Sequence, residues 1–578
     1  MNPSYLYLGF SLSIALSLVN RKAGYYASAT VSLLSVYYGA LVGGVDGDFL
    51  AIVGVVWFLA SVYSTVYDNY GRWLSPLLIT SMLGMAISLT ARTYLEFLAG
   101  WEIMTIPMYA IVGVNRRQDF PAFSFMAFGE LSTALLLAGF VYAYSFTDSP
   151  YFTALQTTVP LVLVALGSTF KMATFPFMAS EWVPIAQANA PANASALISA
   201  GTTLVATYIL ARVALLSPIT PALGFVLMVV GSTSVFFGAL YAYVSEHLKG
   251  LLAFSTAEND GALLSLVGLY LTYQTKTLAN FALDVLVVYS LAHSIAKTGL
   301  FMVAGSVEGE SLSRLKVVRS RLGKVGAVLL TSSMSGLLPN VGGVAVWGLL
   351  EGLFMEAFLL HSALSAVPII SGAVIAMGEG FASGAMVKFL SYTQLFRGER
   401  GRSARLLVSS VVGVAVLLLG PASYVFFKGF LTGAPQLGIA EGLVVSSEYL
   451  PGKVFGGISP LYVFLLVVAF SVVTLGVFGR PKVRRSSPWN NGVKPREEYT
   501  ALAFANNVRL MLAKLLRTKI DEIVVTSDVF WRAFYLVARK YLVFSRALAR
   551  AYMNSSISWY IAYMVVAFIL VTLVVVLR

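Results

Sequence analysis

Long apolar runs separated by short polar connections dominate the chain. Windows of about 19 residues place such runs at 4–20, 26–45, 49–67, 74–91, 93–113, 121–145, 157–179, 190–213, 220–243, 249–272, 279–304, 326–361, 364–391, 404–427, 459–479 and 557–577. Most approach the roughly 20 residues that cross a bilayer core as a helix. The pattern predicts an all-α polytopic membrane protein of about sixteen transmembrane helices. The first run lacks a basic leading segment and a small-residue cleavage site, so it reads as a span and not as a signal peptide. Two runs are interrupted: TFKMATFP at 169–176 carries Pro176, and LLPNVGG at 337–343 carries Pro339. Interrupted helices in corresponding positions of two halves point to a site near the membrane midplane and to inverted repeats.

The one long polar insertion runs from Arg480 to Met553. In its second half Arg532, Arg539 and Arg546 recur every seven residues, with Arg550 one turn on. Phe530, Phe534, Leu542 and Leu548 fill other faces. This predicts a basic amphipathic helix lying along the membrane interface; the alternative is a solvated surface helix.

Composition agrees with the pattern. Hydrophobic residues make up 58% of the 578 and charged residues 11%, against about 25% charged in soluble proteins. Little chain remains for a soluble catalytic domain. The formal charge of +13 comes from Lys and Arg beside apolar runs, where they set orientation and do not mark nucleic-acid binding. One set of alternate loops holds Arg21, Lys22, Arg72, Arg116, Arg117, Lys249, a cluster from Arg314 to Lys324, another from Arg397 to Arg405, and Arg480 to Arg485. The opposite set is poor in basic residues. The asymmetry places the basic loops in the cytoplasm and both termini outside, in a multi-pass protein of the cell membrane. With no cysteine and three scattered histidines, disulfides, cysteine-held iron–sulfur clusters and HExxH-type metal sites are excluded. Any redox cofactor then belongs to a partner.

About a dozen ionisable residues fall inside the apolar runs: Glu102, Glu130, Lys171, Glu258, Asp260, Asp284, His293, Lys297, Glu351, Glu356, Glu379 and Lys388. Each costs about 2.5–3.5 kcal/mol at mid-bilayer if left alone, so they must face one another or internal water. Ion pairs holding helices in register would account for single members, but stability alone is served more cheaply by small apolar contacts. Glu102 and Lys171 each lie five residues before a proline, at mid-span. His293 and Lys297, four apart, share a helix face, and this pairing suits proton relay.

These residues sit in motifs that resemble the antiporter-like membrane subunits shared by respiratory complex I, Mrp-type cation/proton antiporters and energy-converting membrane-bound hydrogenases. WEIMTIPMY at 101–109 looks like the family's glutamate helix. KMATFPF at 171–177, with WVP at 182–184, AP at 190–191 and SALISA at 195–200, looks like its broken lysine helix and the helix after it. LKGLLAFS at 248–255 and HSIAKTGLF at 293–301 complete the series. Glu258-Asn259 before Gly261, and a tail with WNNG at 489–492, EYTA at 498–501 and Phe504, are similar to the hydrogenase-4 and formate hydrogenlyase branch, with Asn491 where that branch has a cysteine. The departures are Leu204 and Val346, where the family carries charged stations, and Ile185 and Gln187, where it carries an acid and a histidine.

The resemblance implies two inverted five-helix repeats within an antiporter-like core at 91–400. Around it lie N-terminal helices at 1–90, additional helices at 401–480, and at 481–578 a segment with a lateral helix and a final anchor. It implies a proton or Na⁺ translocating subunit whose path uses Glu102, Lys171, His293, Lys297, Glu130, Glu258, Glu351 and Lys388. Glu102 would govern how firmly Lys171 holds its ion, and Glu351 or Lys388 would provide the exit. Other membrane subunits and peripheral redox subunits would be partners, carrying a nickel–iron centre or iron–sulfur clusters; this chain would hold no cofactor. Two alternatives stand beside this reading: an Mrp-type antiporter subunit, and a structural module whose relay has decayed.

Overall fold

The computed structural model describes residues 2–578 except 68–69, 116–119, 176–181, 274, 396–398, 402, 424–438, 441–443, 451–452, 480–500, 512–528, 553–558, 560 and 567–578. The expected break residue Pro176, the tail motif at 489–500 and most of the last predicted span lie outside the described residues.

The chain is nearly all helical. In order come α1 (Ser4–Val19), α2 (Arg21–Val42), α3 (Gly44–Ser64), α4 (Leu74–Thr90), α5 (Tyr94–Val112), α6 (Phe120–Thr147), α7 (Val159–Lys171), α8 (Trp182–Asn189), α9 (Ala192–Leu197), α10 (Thr203–Leu216), α11 (Pro221–Val244), α12 (Leu248–Thr272) and α13 (Lys276–Ala304). They are followed by α14 (Arg321–Met334), α15 (Val341–Leu359), α16 (Ala366–Leu390), α17 (Ala404–Leu419), α18 (Pro460–Phe478), the short α19 (Ala501–Phe504) and α20 (Asn506–Met511), and α21 (Val529–Tyr552). Among the described residues nine helical segments are long and apolar enough to cross a membrane and four more are apolar but shorter. This is a multi-pass membrane protein. The two interrupted runs appear as split helices, α7 with α8 and α14 with α15. α12 has full length but carries Lys249, Glu258 and Asp260, a charge load unusual for a span.

The chain divides into two compact units, Met1–Met511 with 520–525, and Leu512–Lys519 with Thr526–Arg578. The first is the helical bundle. Its centre is α9–α10, whose apolar window is wholly buried, and α13, which is largely so; α18 buries none of its own window. The tightest seam is α11 against the antiparallel α12. Gly224, Gly231 and Gly238, seven residues apart, meet Gly268, Gly261 and the Glu258 backbone in turn. Small residues let membrane helices approach closely where no hydrophobic gain drives them together. A methyl group on Gly238 would lie 2.6 Å from the Glu258 nitrogen, so this seam fixes the depth of Glu258.

Two features escaped the apolar pattern. A hairpin of β1 (Val444–Leu450) and β2 (Lys453–Ile458) rises between α17 and α18. Two π-helical segments, Ile198–Thr202 joining α9 to α10 and Ser391–Leu395 after α16, interrupt the regular hydrogen-bond ladder. Such bulges concentrate at functional sites.

In the second unit α21 is a basic amphipathic helix, with Arg539, Arg546 and Arg550 exposed. The Arg532 side chain lies outside the described residues.

Candidate functional site

Ionisable side chains gather along the interior of the bundle in two clusters joined by hydroxyl groups. The first cluster is built by α5, α6 and α7. Lys171 ends α7 with 1% of its surface exposed, and the chain then turns through Ala173 with φ 55, a strained conformation for a residue with a Cβ. The carbonyl of Phe170 freed by this turn accepts the Trp182 indole N–H at 2.9 Å. The Lys171 ammonium turns toward α5. It donates to Thr105 Oγ1 at 2.9 Å, with the rings of Trp101 and Phe125 at 5.1 and 5.2 Å, a cation–π environment.

Glu102 sits one turn before Thr105 on α5 and accepts the Thr133 hydroxyl at 2.7 Å. Glu102 and Lys171 thus share a cluster without forming an ion pair within 4.0 Å, and Glu102 acts on the ammonium through space. Glu130 acts on it too, yet its side chain lies on the exposed face of α6. A carboxylate at mid-helix on the outer face of a membrane bundle demands cover or water.

From Lys171 a ladder of hydroxyls leads inward along one face of α10 and its π-helical entry. Thr207 faces the sulfur of the neighbouring Met172 at 3.8 Å, and Thr203 and Ser199 follow at four-residue intervals, spanning about 12 Å at 1.5 Å per residue. The Ser199 hydroxyl meets Thr256 Oγ1 at 2.7 Å, and the Ser199 carbonyl meets His293 Nε2 at 3.3 Å. Thr256 also reaches Gln187 Oε1 at 3.5 Å. Leu204 is fully buried, but the polar route passes beside it. Gln187, at the position where the resemblance has a histidine, thus touches this series of hydroxyls.

The second cluster joins α12, α13 and α16. Lys297 donates to the Leu252 carbonyl at 2.8 Å and acts electrostatically on Glu258 and Asp260. Asp260, fully buried, faces Thr203, so the ladder and this cluster meet. Glu379 of α16 acts on Glu258.

Two expected exit residues separate. Glu351 accepts the Ser447 hydroxyl of the hairpin at 2.6 Å, away from the basic loops. Lys388, near the end of α16, donates to the carbonyls of Tyr243 and, at 2.7 Å, Ser245. These carbonyls lie at the end of α11, where a cation is favoured, so Lys388 caps that helix.

Residues 91–379 match the family described as NADH:quinone oxidoreductase/Mrp antiporter, TM. The chain belongs to this family. Among curated relatives of this antiporter-like subunit are the putative antiporter subunits mnhA2 of Staphylococcus epidermidis (strain ATCC 12228 / FDA PCI 1200), 29% identical over 324 residues, and of Staphylococcus aureus (strain MRSA252), 29% identical over 363. The matches cover 50% and 56% of the chain and 39% and 43% of those proteins, so the chain spans about two fifths of the length of these relatives. The fold is shared with a chain of the membrane-bound sulfane sulfur reductase (MBS), an archaeal respiratory membrane complex, at TM-score 0.79 and 16% identity over 99% of each chain. It is shared with a chain of the Mrp complex from Dietzia sp. DQ12-45-1b at TM-score 0.70 and 18% identity, over 100% of this chain and 62% of that one. A chain of respiratory complex I from Thermus thermophilus matches at TM-score 0.60 and 21% identity, over 75% of this chain and 100% of that one.

Proposed function

We propose that the chain is the proton or Na⁺ translocating membrane subunit of a multisubunit, redox-driven complex of the cell membrane. The observation that carries the reading is the alignment of buried ionisable and hydroxyl groups along the interior: Lys171, then Thr207 beside Met172, Thr203 and Ser199, then His293, Lys297 and Glu258. Burying so many charges is costly, and a purely structural bundle gains nothing from aligning them. Glu102 tunes the grip of Lys171 on the ion, Lys171 passes it along the hydroxyl ladder, His293, Lys297 and Glu258 carry it across the middle, and the Glu351 side opens outward. The core at 91–400 works as two inverted repeats between flanking helices at 1–90 and 401–480, with both termini outside.

Partner membrane subunits cover the face that bears Glu130, and peripheral subunits carry the redox groups, a nickel–iron centre or iron–sulfur clusters. A redox complex of the hydrogenase-4 type is favoured by Glu258-Asn259, by the tail at 489–504 and by the end-to-end match with the MBS chain. The mnhA2 relatives favour an Mrp-type cation/proton antiporter as the second reading. Vesicles holding the purified complex discriminate them. Ion uptake that requires an electron donor supports the redox reading; Na⁺/H⁺ exchange under an imposed Na⁺ gradient with no donor supports the antiporter.

A further inference from the structure

The break between α14 and α15 has no charge of its own, because Val346 stands where the family carries one. The structure brings a charge there from another helix. Gly336, in the break with φ 63, is so placed that a methyl group on it would lie 3.2 Å from Val346 Cγ2 and 3.5 Å from Glu379 Oε2. Val346 and the Glu379 carboxylate thus border the same small volume. Both Glu379 oxygens are buried and neither has a hydrogen-bond partner among the described residues. An unsatisfied buried carboxyl group is costly, a cost that stability does not explain.

Its surroundings belong to the path. Glu258 of α12 acts on Glu379 electrostatically, and Tyr289 of α13 feels both. One turn along α13 from Tyr289 is His293. Tyr289 and His293 line, with Asn259, Ser333 and Val346, a cavity of about 10 Å³, about the room one water needs. Glu258 Oε2 and His293 Nδ1 are likewise buried without partners.

Resting on the translocating reading above, we propose that Glu379 is the proton-carrying station of the second broken helix, supplied from α16 in place of Val346 and exchanging its proton with Glu258. The proton leaves the Glu258 carboxylic acid and adds to the Glu379 carboxylate, beside the water-sized cavity that Asn259 and Val346 line. The Glu258 carboxylate left behind is stabilised by the Lys297 ammonium, so charge balances with no other reactant.

The test uses the native complex in vesicles, reading donor-driven acidification with an internal pH dye. Glu379→Gln lowers uptake at least tenfold while subunit composition is unchanged. Glu379→Ala combined with Val346→Glu, which returns a carboxyl group to the same volume from α15, recovers at least a third of wild-type uptake. A carbodiimide, to whose C=N bond a buried protonated carboxyl group adds to give a stable N-acylurea, labels Glu379 in the wild type. If Glu379→Gln pumps at the wild-type rate while Lys171→Met in the same vesicles does not, the station is overturned and the translocating reading stands. If the assembled double variant does no better than Glu379→Ala alone, the station is overturned as well. If the wild-type complex builds no gradient, the translocating reading falls, and the station with it.

Discussion

Gly238→Ala probes the link between helix packing and the buried charges. The added methyl would lie 2.6 Å from the Glu258 nitrogen, 2.9 Å from its Cα and 3.0 Å from the Phe254 carbonyl oxygen. All three are backbone atoms of α12, so no side chain can rotate away. Ordinary contact begins at 3.4 Å, and the helices must part by about 0.8 Å, the difference from 2.6 Å. Overpacking of this kind costs about 1–3 kcal/mol, a roughly 5- to 150-fold loss in the folded-to-unfolded ratio. The same shift moves Glu258 relative to Lys297. Displacements near 1 Å at a reacting group cost up to about a hundredfold in rate, so uptake falls on the order of tenfold. Gly476→Ala, with nothing within 4 Å, is the control. Thermal unfolding in detergent and uptake in vesicles are the assays. If Gly238→Ala melts and pumps like Gly476→Ala, the seam does not position Glu258 and the packing argument is refuted.

Other perturbations separate the parts of the path. Thr105→Val removes the hydroxyl that receives the Lys171 ammonium, costing the charged form about 1.5–3 kcal/mol; uptake falls about tenfold or more, and Thr105→Ser restores it. Glu102→Gln reduces uptake more than it reduces the yield of assembled complex, measured by copurification. Removing residues 520–578 takes away α21 and its arginines, each worth about 1 kcal/mol at an anionic surface; partner subunits are lost on purification, while the circular dichroism of the remaining bundle stays helical.

The helices were legible because a span needs a long apolar run, and such runs have few other uses. The predicted span at 279–304 and α13 differ by three residues at one end only, and the split runs declared themselves through proline and glycine. Hydrogen-bond register, by contrast, leaves no mark on composition, so the π-helical segment at Ile198–Thr202 was invisible although every residue in it is apolar or small. The hairpin at 444–458 was missed because its strands mix Val, Ser and Gly without an uninterrupted apolar run. Among the charges, sequence shows that a residue is costly where it lies but not what it faces. Lys388 and Lys297 read alike in the chain; one caps α11 and the other sits between Glu258 and Asp260. Thr105, Thr133 and Gln187 carry no charge and drew little notice, yet they touch the ionisable groups directly or continue the route between them. Glu379 stood out as a charge in an apolar run, but its place beside Val346 depends on how α16 packs on the break.

The proposed function requires an ion to travel through this chain between Lys171 and Lys297. It is tested most directly by measuring electron transfer and internal acidification together, in vesicles holding the wild-type complex or its Lys171→Met or Lys297→Met variants. Each variant is expected to assemble and still pass electrons but to build less than a tenth of the wild-type gradient per electron. A full gradient per electron in both assembled variants would contradict it.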